Sequence, residues 1–181
     1  MALASATTAK AWLVGSSSTS RPRRPLKSGK PKKKLIGWRE WVRLPDLYGG
    51  RIKAKIDSGA RTSAIHAFKV MPFTKDGGAF VRFLVHPKQR HRKPEIACVA
   101  RVIDRRRITD SGGNSQERYV IRTTLKLGKS IWPIELTLSN RDSMGFRLLI
   151  GRQAIRRRYL VDPGRSFVVK RKKARTRATS K

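Results

Sequence analysis

Residues 53–66 read KAKIDSGARTSAIH and place an aspartate at the end of a short alternating run. Polar and apolar residues alternate from Arg51 to Ile56, which is the period-two pattern of a half-buried β-strand. Asp57 follows this strand and is succeeded at once by Ser58 and Gly59, residues that favour a turn. Two interpretations are open: the Asp57 side chain either closes the turn or serves as a catalytic acid.

The rest of the central region consists of short strand patterns separated by turn residues. Gly77 and Gly78 mark a hairpin, and Ser111–Asn114 marks a second turn after the basic run Arg105–Arg107. Residues 60–70 form either a strand or a helical turn, and 153–158 form one or two helical turns. Strands are predicted at 38–44, 51–56, 79–85, 96–103, 119–127, 131–138, 148–150 and 159–161. This pattern predicts an all-β barrel or sandwich.

Charge divides the chain into a central domain and two basic ends. The sequence has 44 Lys and Arg against 11 Asp and Glu, a formal net charge of +33, and no acid lies in 1–34 or 164–181. We predict disordered basic tails at 1–34 and 166–181 around a domain at 35–165. Residues 1–34 also have the composition of an organellar transit peptide, an alternative that stays open. So large a positive charge indicates an anionic partner, either nucleic acid or an acidic peptide.

Several sites and compartments are disfavoured by what the sequence lacks. Nothing approaches the length of a membrane span. The single cysteine, Cys98, cannot form an intramolecular disulfide; it suits the cytoplasm and is predicted to be a small core residue. His66, His86 and His91 lack a zinc-site spacing and are predicted to lie at the surface. Gly128–Ser130 lacks the remainder of a phosphate-binding loop, so neither a metal nor a cofactor is expected.

A second motif about ninety residues later changes the interpretation of Asp57. Residues 57–60 read DSGA and residues 149–152 read LIGR, and together they resemble the two signatures of retroviral-type aspartic peptidases. Three longer stretches, at 53–67, 105–121 and 137–163, make the resemblance more specific. They resemble the RimB family of retropepsin-like endopeptidases, whose members are often named ATP-dependent zinc proteases and are linked to RimK-type glutamate ligases. The resemblance covers residues 38–168.

The resemblance implies a retropepsin-like closed barrel with one short helix, active as a homodimer. Asp57 matches the catalytic aspartate, and Ser58, Gly59 and Ala60 match its loop, with Ser58 where the family more often has threonine. The structural motif that packs beside this loop is matched by Leu149, Ile150 and Gly151. Residues expected to bind substrate or brace the loop are Arg61, Thr62, Ser63, His66, Arg141 and Arg152.

The mechanism that the resemblance implies needs two carboxylates around one water. The chain offers one DSGA loop, so we expect Asp57 of each subunit to meet on the two-fold axis of a homodimer. Asp142 could supply the second acid in a monomer, although its setting favours a structural ion pair with an arginine. The turn around Ser111–Gln116, between Arg107 and Arg118, is the predicted flap.

The resemblance also implies a substrate, namely an acidic or glutamate-modified protein tail such as that of a ribosomal protein. A basic domain suits such a tail through arginine–carboxylate contacts. The basic tails of the chain could contact ribosomal RNA. The alternative is a non-catalytic basic protein of the same fold that binds the ribosome or RNA. We identify no residues in this sequence that would bind the zinc or the ATP in the name ATP-dependent zinc protease.

Overall fold

The computed structural model describes residues 33–109, 113, 115–140 and 145–169. This part of the chain contains nine strands and one short helix. In chain order they are β1 (Lys34–Leu44), β2 (Tyr48–Asp57), β3 (Ser63–Lys75), β4 (Gly78–Val85), β5 (Ile96–Thr109), β6 (Ser115–Leu127), β7 (Ser130–Ser139), β8 (Leu148–Gly151), α1 (Arg152–Ile155) and β9 (Tyr159–Ser166).

The strands form one sheet that closes on itself. Their order is β4-β5-β6-β7-β3-β8-β2-β1-β9, and additional pairings of β4 with β3 and of β6 with β1 complete two circuits. Closure pairs strand edges that would otherwise be exposed. The interior is apolar, with Phe83, Leu125 and Leu136 fully buried. The predicted all-β closed barrel with a short helix is therefore confirmed, whereas the structure describes one chain and the homodimer stays a prediction.

Strand β2 shows how the sequence pattern becomes packing. Ile52, Ala54 and Ile56 point into the core and are at most 5% exposed. The alternate residues, including Lys55, lie on the outer face, as period-two geometry requires. Fully burying an isoleucine side chain contributes roughly 1.5–3 kcal/mol. The strand that carries Asp57 is thus fixed in register by its buried face.

The β3–β4 hairpin resolves the ambiguous segment at 60–70. Its turn uses Asp76 and Gly77, both with positive φ (+49° and +70°), the conformation that two-residue hairpins favour. The hairpin predicted from Gly77 and Gly78 is confirmed. Residues from Ser63 onward form strand β3 rather than a helical turn, because β7, β8 and β4 all pair with it.

The β5–β6 hairpin is longer than predicted. Strand β5 was expected to end at residue 103, but it continues to Thr109 and contains the basic run 105–107. Pairing with β6 persists to Thr109 and Ser115, whose hydroxyl oxygens lie 2.7 Å apart. Arg106 also donates a hydrogen bond of 2.7 Å to Glu135 on β7, so a charged segment gains partners that the strand pattern did not reveal. Residues 110–112 and 114 lie outside the described residues, and they include half of the predicted flap, Ser111–Gln116.

The last described residues pack on β1. Strand β9 runs parallel to β1, and Phe167–Val169 continue beyond the boundary predicted at residue 165. The buried carboxylate of Glu40 accepts amide hydrogen bonds from Gly37 (2.8 Å), Val168 (2.8 Å) and Val169 (3.3 Å). Residues 1–32 and 170–181 lie outside the described residues, so the predicted disorder of the tails stays a prediction.

Two further expectations concern individual features. Cys98 is 4% exposed and belongs to the apolar cluster, as predicted, and burial raises the pKa of its thiol to about 11. Within the described residues no helix is long and apolar enough to cross a membrane.

Candidate active site

Asp57 ends strand β2, and its carboxylate is held by the turn that follows. Its Oδ1 accepts hydrogen bonds from the backbone amides of Gly59 and Ala60, each at 3.1 Å. This is the geometry of an Asx turn. The two interpretations of the motif are therefore compatible, because the same bonds that close the turn fix the orientation of a half-buried carboxylate.

Strand β8 threads between the two strands that flank this loop. It pairs parallel with β2, which places Asp57 opposite Gly151, and antiparallel with β3. Leu149 and Ile150, predicted to pack beside the loop, are at most 9% exposed. The two sequence signatures thus lie side by side on neighbouring strands of the sheet.

Gly151 shows why the second signature needs a glycine. A Cβ atom at this position would lie 2.4 Å from the carbonyl oxygen of Thr62 and 3.0 Å from that of Arg61. Both contacts are with backbone, which cannot move without displacing the loop. The backbone amide of Gly151 also donates to the Ser63 hydroxyl at 3.1 Å. Only a residue without a side chain permits this close approach.

Arg152 braces the loop from its carbonyl side. Its backbone amide donates to the Ala60 carbonyl at 2.8 Å, and its guanidinium donates to the Gly59 carbonyl at 2.9 Å. The next amide, of Gln153, donates to the Arg61 carbonyl at 3.1 Å. We expected Arg152 either to bind substrate or to brace the loop, and these contacts brace the loop. Gln153 was not singled out from the sequence, since its contribution is a backbone group that no residue type signals.

The remaining predicted residues fall into three environments. Ser63 is 2% exposed, and besides binding Gly151 it accepts a 3.0 Å hydrogen bond from Thr137 on β7 through its carbonyl. Ser58 and Arg61 are exposed beside the loop, and Thr62 is half-buried. Arg141 and the alternative acid Asp142 lie outside the described residues.

The prediction of surface histidines is wrong for two of the three. His66 and His86 are 2% and 7% exposed, whereas His91 is exposed. The His66 ring lies beside two aromatic neighbours, with centroids 6.0 Å from both Phe68 and His86. His66 is buried although it lies on the face of β3 opposite to Ile65 and Ala67, and the His86 ring stacks on Phe68 with centroids 4.4 Å apart. A substrate-facing role for the His66 ring is therefore not supported.

No metal centre accompanies the buried histidines in the described part of the chain. Groups of three or more His, Cys, Asp or Glu side chains with metal-site geometry are absent there. His86 Nε2 lies 3.7 Å from the Glu95 carboxylate instead.

A cleft of about 490 Å³ opens on the helix side of the loop. It is lined by Thr62, Ser63, Trp132, Pro133, Ile134, Glu135, Gln153, Ala154 and Arg156–Arg158. Asp57 is not part of its lining, so the cleft lies behind the candidate active site. We assign no substrate to it.

The chain is similar to a known family and to individual known proteins. Residues 35–172 match the family model described as RimB-like, retropepsin-like aspartic endopeptidase RimB. Similar proteins named probable alpha-L-glutamate ligase occur in Desulfotalea psychrophila (53% identity, 72% of this chain, 28% of that protein) and Shewanella pealeana (50%, 74% and 29%). The chain therefore spans less than a third of the length of these relatives.

A solved structure shares the fold. It is a Legionella pneumophila protein of unknown function (DUF785), with a TM-score of 0.65 and 26% sequence identity. The match covers 77% of this chain and all of that one.

Proposed function

Because the chain belongs to the RimB-like family of retropepsin-like aspartic endopeptidases, we propose that it hydrolyses peptide bonds with Asp57 as its catalytic residue. The observation that carries the proposal is the double restraint on the loop. Two amides fix one oxygen of the Asp57 carboxylate, and Arg152 holds the loop carbonyls from the other side. A carboxylate that must position a water molecule benefits from such preorganisation.

The chemistry requires two carboxylates that share one proton around a water molecule. One carboxylate removes a proton from the water as its oxygen attacks the peptide carbonyl, and the protonated carboxyl gives its proton to the developing oxyanion. Collapse of the tetrahedral species then breaks the carbon–nitrogen bond as the amine takes up a proton. One chain supplies one Asp57 loop, so the proposal includes a homodimer whose two loops meet on the symmetry axis.

The proposed substrate is an acidic or glutamate-modified protein tail in the cytoplasm. Two observations support this class of substrate. The relatives that contain a region similar to this chain are named for glutamate ligation, and the chain carries a formal net charge of +33. Positive charge near the loop, as at exposed Arg61, raises the local concentration of an anionic peptide.

The test is the Asp57→Asn variant of the full chain. An asparagine Oδ1 can still accept the amide bonds of Gly59 and Ala60, so the loop should keep its conformation. We expect cleavage of a glutamate-tailed peptide, followed by mass spectrometry, to fall by roughly 10²–10⁴-fold, the scale of lost acid–base catalysis. The melting temperature should be nearly unchanged.

The matched control is Asp76→Asn in the β3–β4 turn. Asp76 is exposed and has φ +49°, a conformation that asparagine tolerates, and its replacement removes the same charge. Activity of this variant should equal that of the parent protein. Unchanged turnover in Asp57→Asn would refute the catalytic assignment and favour the non-catalytic alternative on the same fold.

A further inference from the structure

The outer face of β1 and β2 carries an exposed tryptophan, stacked on a half-buried phenylalanine and surrounded by cations. Trp41 is 41% exposed and stacks on Phe167, with ring centroids 6.0 Å apart and an interplanar angle of 23°. Arg51 and Lys53 each lie 5.4 Å from the Trp41 ring, and Arg39 lies 5.2 Å from the Phe167 ring. We call these five residues the Trp41 platform.

The platform cations have no acidic partner among the described residues. None of the salt bridges formed in that part of the chain includes Arg39, Arg51 or Lys53. Further positive charge flanks them, because Lys55 is paired with Arg39 across the two strands and Lys126 with Arg43. The face therefore combines a flat aromatic surface with uncompensated positive charge.

The position of Phe167 is maintained at a conformational cost. Phe167 has φ +55°, a left-handed conformation that bulky residues rarely adopt. Its amide donates to the Arg39 carbonyl at 2.9 Å, and the buried Glu40 carboxylate holds the next two amides. Stability of the core does not require a phenylalanine ring on an exposed tryptophan. A strained residue held in place by a buried charge is a pattern found at binding sites.

We infer that the Trp41 platform binds single-stranded nucleic acid. Exposed aromatic rings stack on bases, whereas neighbouring Lys and Arg side chains neutralise phosphates, and this pairing of features is typical of proteins that bind single strands. A polyglutamate segment would satisfy the cations but has no aromatic ring to stack on Trp41. The inference goes beyond the proposed peptidase activity and is independent of the tails.

The platform and the candidate active site share strand β2. Lys53 and Asp57 are four positions apart, which corresponds to about 13 Å along a strand. A nucleic acid held on the platform would keep the peptidase loop close to a protein bound to the same nucleic acid.

Binding of a labelled oligouridine to the full chain, followed by fluorescence anisotropy, tests the inference. We expect Trp41→Leu to weaken the affinity about tenfold, the scale of losing one stacked base. The slope of log affinity against log salt should stay unchanged, because no cation is removed. Lys53→Gln should instead lower that slope by about one.

Phe73→Leu is the matched control, because Phe73 also lies near another ring (Phe80, 5.8 Å) and a cation (Arg82, 5.9 Å) but on the β3–β4 hairpin. It should bind oligouridine as the parent does. Phe167→Leu provides a second test of stacking should Trp41→Leu fail to fold, and it should also weaken binding. Equal affinities of the platform variants and the control would overturn the inference.

Oligoglutamate and oligodeoxythymidine probes distinguish the possible ligands. Trp41→Leu should leave oligoglutamate affinity unchanged and should weaken oligodeoxythymidine binding as it does oligouridine binding. An equal loss of oligoglutamate binding would overturn the inference and assign this face to acidic peptides.

Discussion

The end of β2 and the outer face of the same strand hold their charges in opposite ways. At the end, the Asp57 carboxylate is bound by backbone amides and the Arg152 guanidinium by a backbone carbonyl. On the face, the interactions of Arg51 and Lys53 with described residues are with aromatic rings: Arg51 lies near Trp41, and Lys53 lies near Trp41 and Phe167. Hydrogen bonds to backbone fix a charged group in one geometry, whereas a cation beside a ring keeps its rotamer freedom.

This difference has a functional meaning. A catalytic carboxylate must be placed within a fraction of an ångström of the productive geometry, which backbone bonds can achieve. A surface that accepts a nucleic-acid chain of varied sequence needs adaptable cations. Substitutions of the residues that brace the Asp57 loop should therefore affect stability and activity together, whereas those on the outer face of β2 should mainly affect binding.

Gly151→Ala should have the largest effect on stability of the three substitutions that follow. Gly151 ends β8 and is paired with Asp57 at the end of β2. The added methyl group would lie 2.4 Å from the Thr62 carbonyl oxygen, and relief requires movement of the loop or of β8. We expect a loss of roughly 3 kcal/mol in the free energy of unfolding, the upper range for overpacking, measured by denaturant titration. Gly145→Ala is the control, because nothing lies within 4 Å of a Cβ there. An unchanged free energy of unfolding in Gly151→Ala would show that the two signatures are not tightly packed.

Arg152→Lys should have an intermediate effect. Lysine keeps the positive charge and the backbone amide bond but cannot reproduce the guanidinium geometry at the Gly59 carbonyl. We expect a stability loss of about 1 kcal/mol and a fall in kcat with little change in KM. The control is Arg156→Lys at the exposed end of α1. A rise in KM alone would instead assign Arg152 to substrate binding.

Arg51→Gln should have the smallest effect on stability. An exposed cation beside an aromatic ring contributes only about 0.5–1 kcal/mol, and Arg51 lies 5.4 Å from the Trp41 ring. We expect a change of at most that size in the free energy of unfolding, full peptidase activity and weaker oligouridine binding. Loss of activity in this variant would show that the face and the loop are one site.

Much of the candidate site follows from local sequence, because its signals are local. The alternation of β2, the DSGA turn and the Gly77–Gly78 hairpin each involve neighbours in the chain, and so does the apolar triplet that ends at Gly151. The resemblance implied that a glycine packs beside the loop, and the structure identifies the atoms that require it, the Arg61 and Thr62 carbonyls.

Other features escaped prediction because they depend on contacts between distant parts of the chain. Glu40 binds amides at residues 168 and 169, more than 120 positions away. The basic run of β5 forms strand because β6 and Glu135 supply its partners. His66 and His86 are buried beside aromatic rings, an environment that a polar residue type does not signal. The sequence pattern predicted both histidines at the surface, and it did not single out Glu40.

The central claim is that each subunit supplies half of the catalytic site, and a mixed dimer tests it most directly. Wild-type chains and Asp57→Asn chains bearing different affinity tags would be co-expressed, and the heterodimer purified through both tags. Its turnover of a glutamate-tailed peptide should equal the background level of the Asp57→Asn homodimer, because a single carboxylate cannot share a proton. Turnover at about half the wild-type rate would mean that each subunit acts alone, and it would contradict the account.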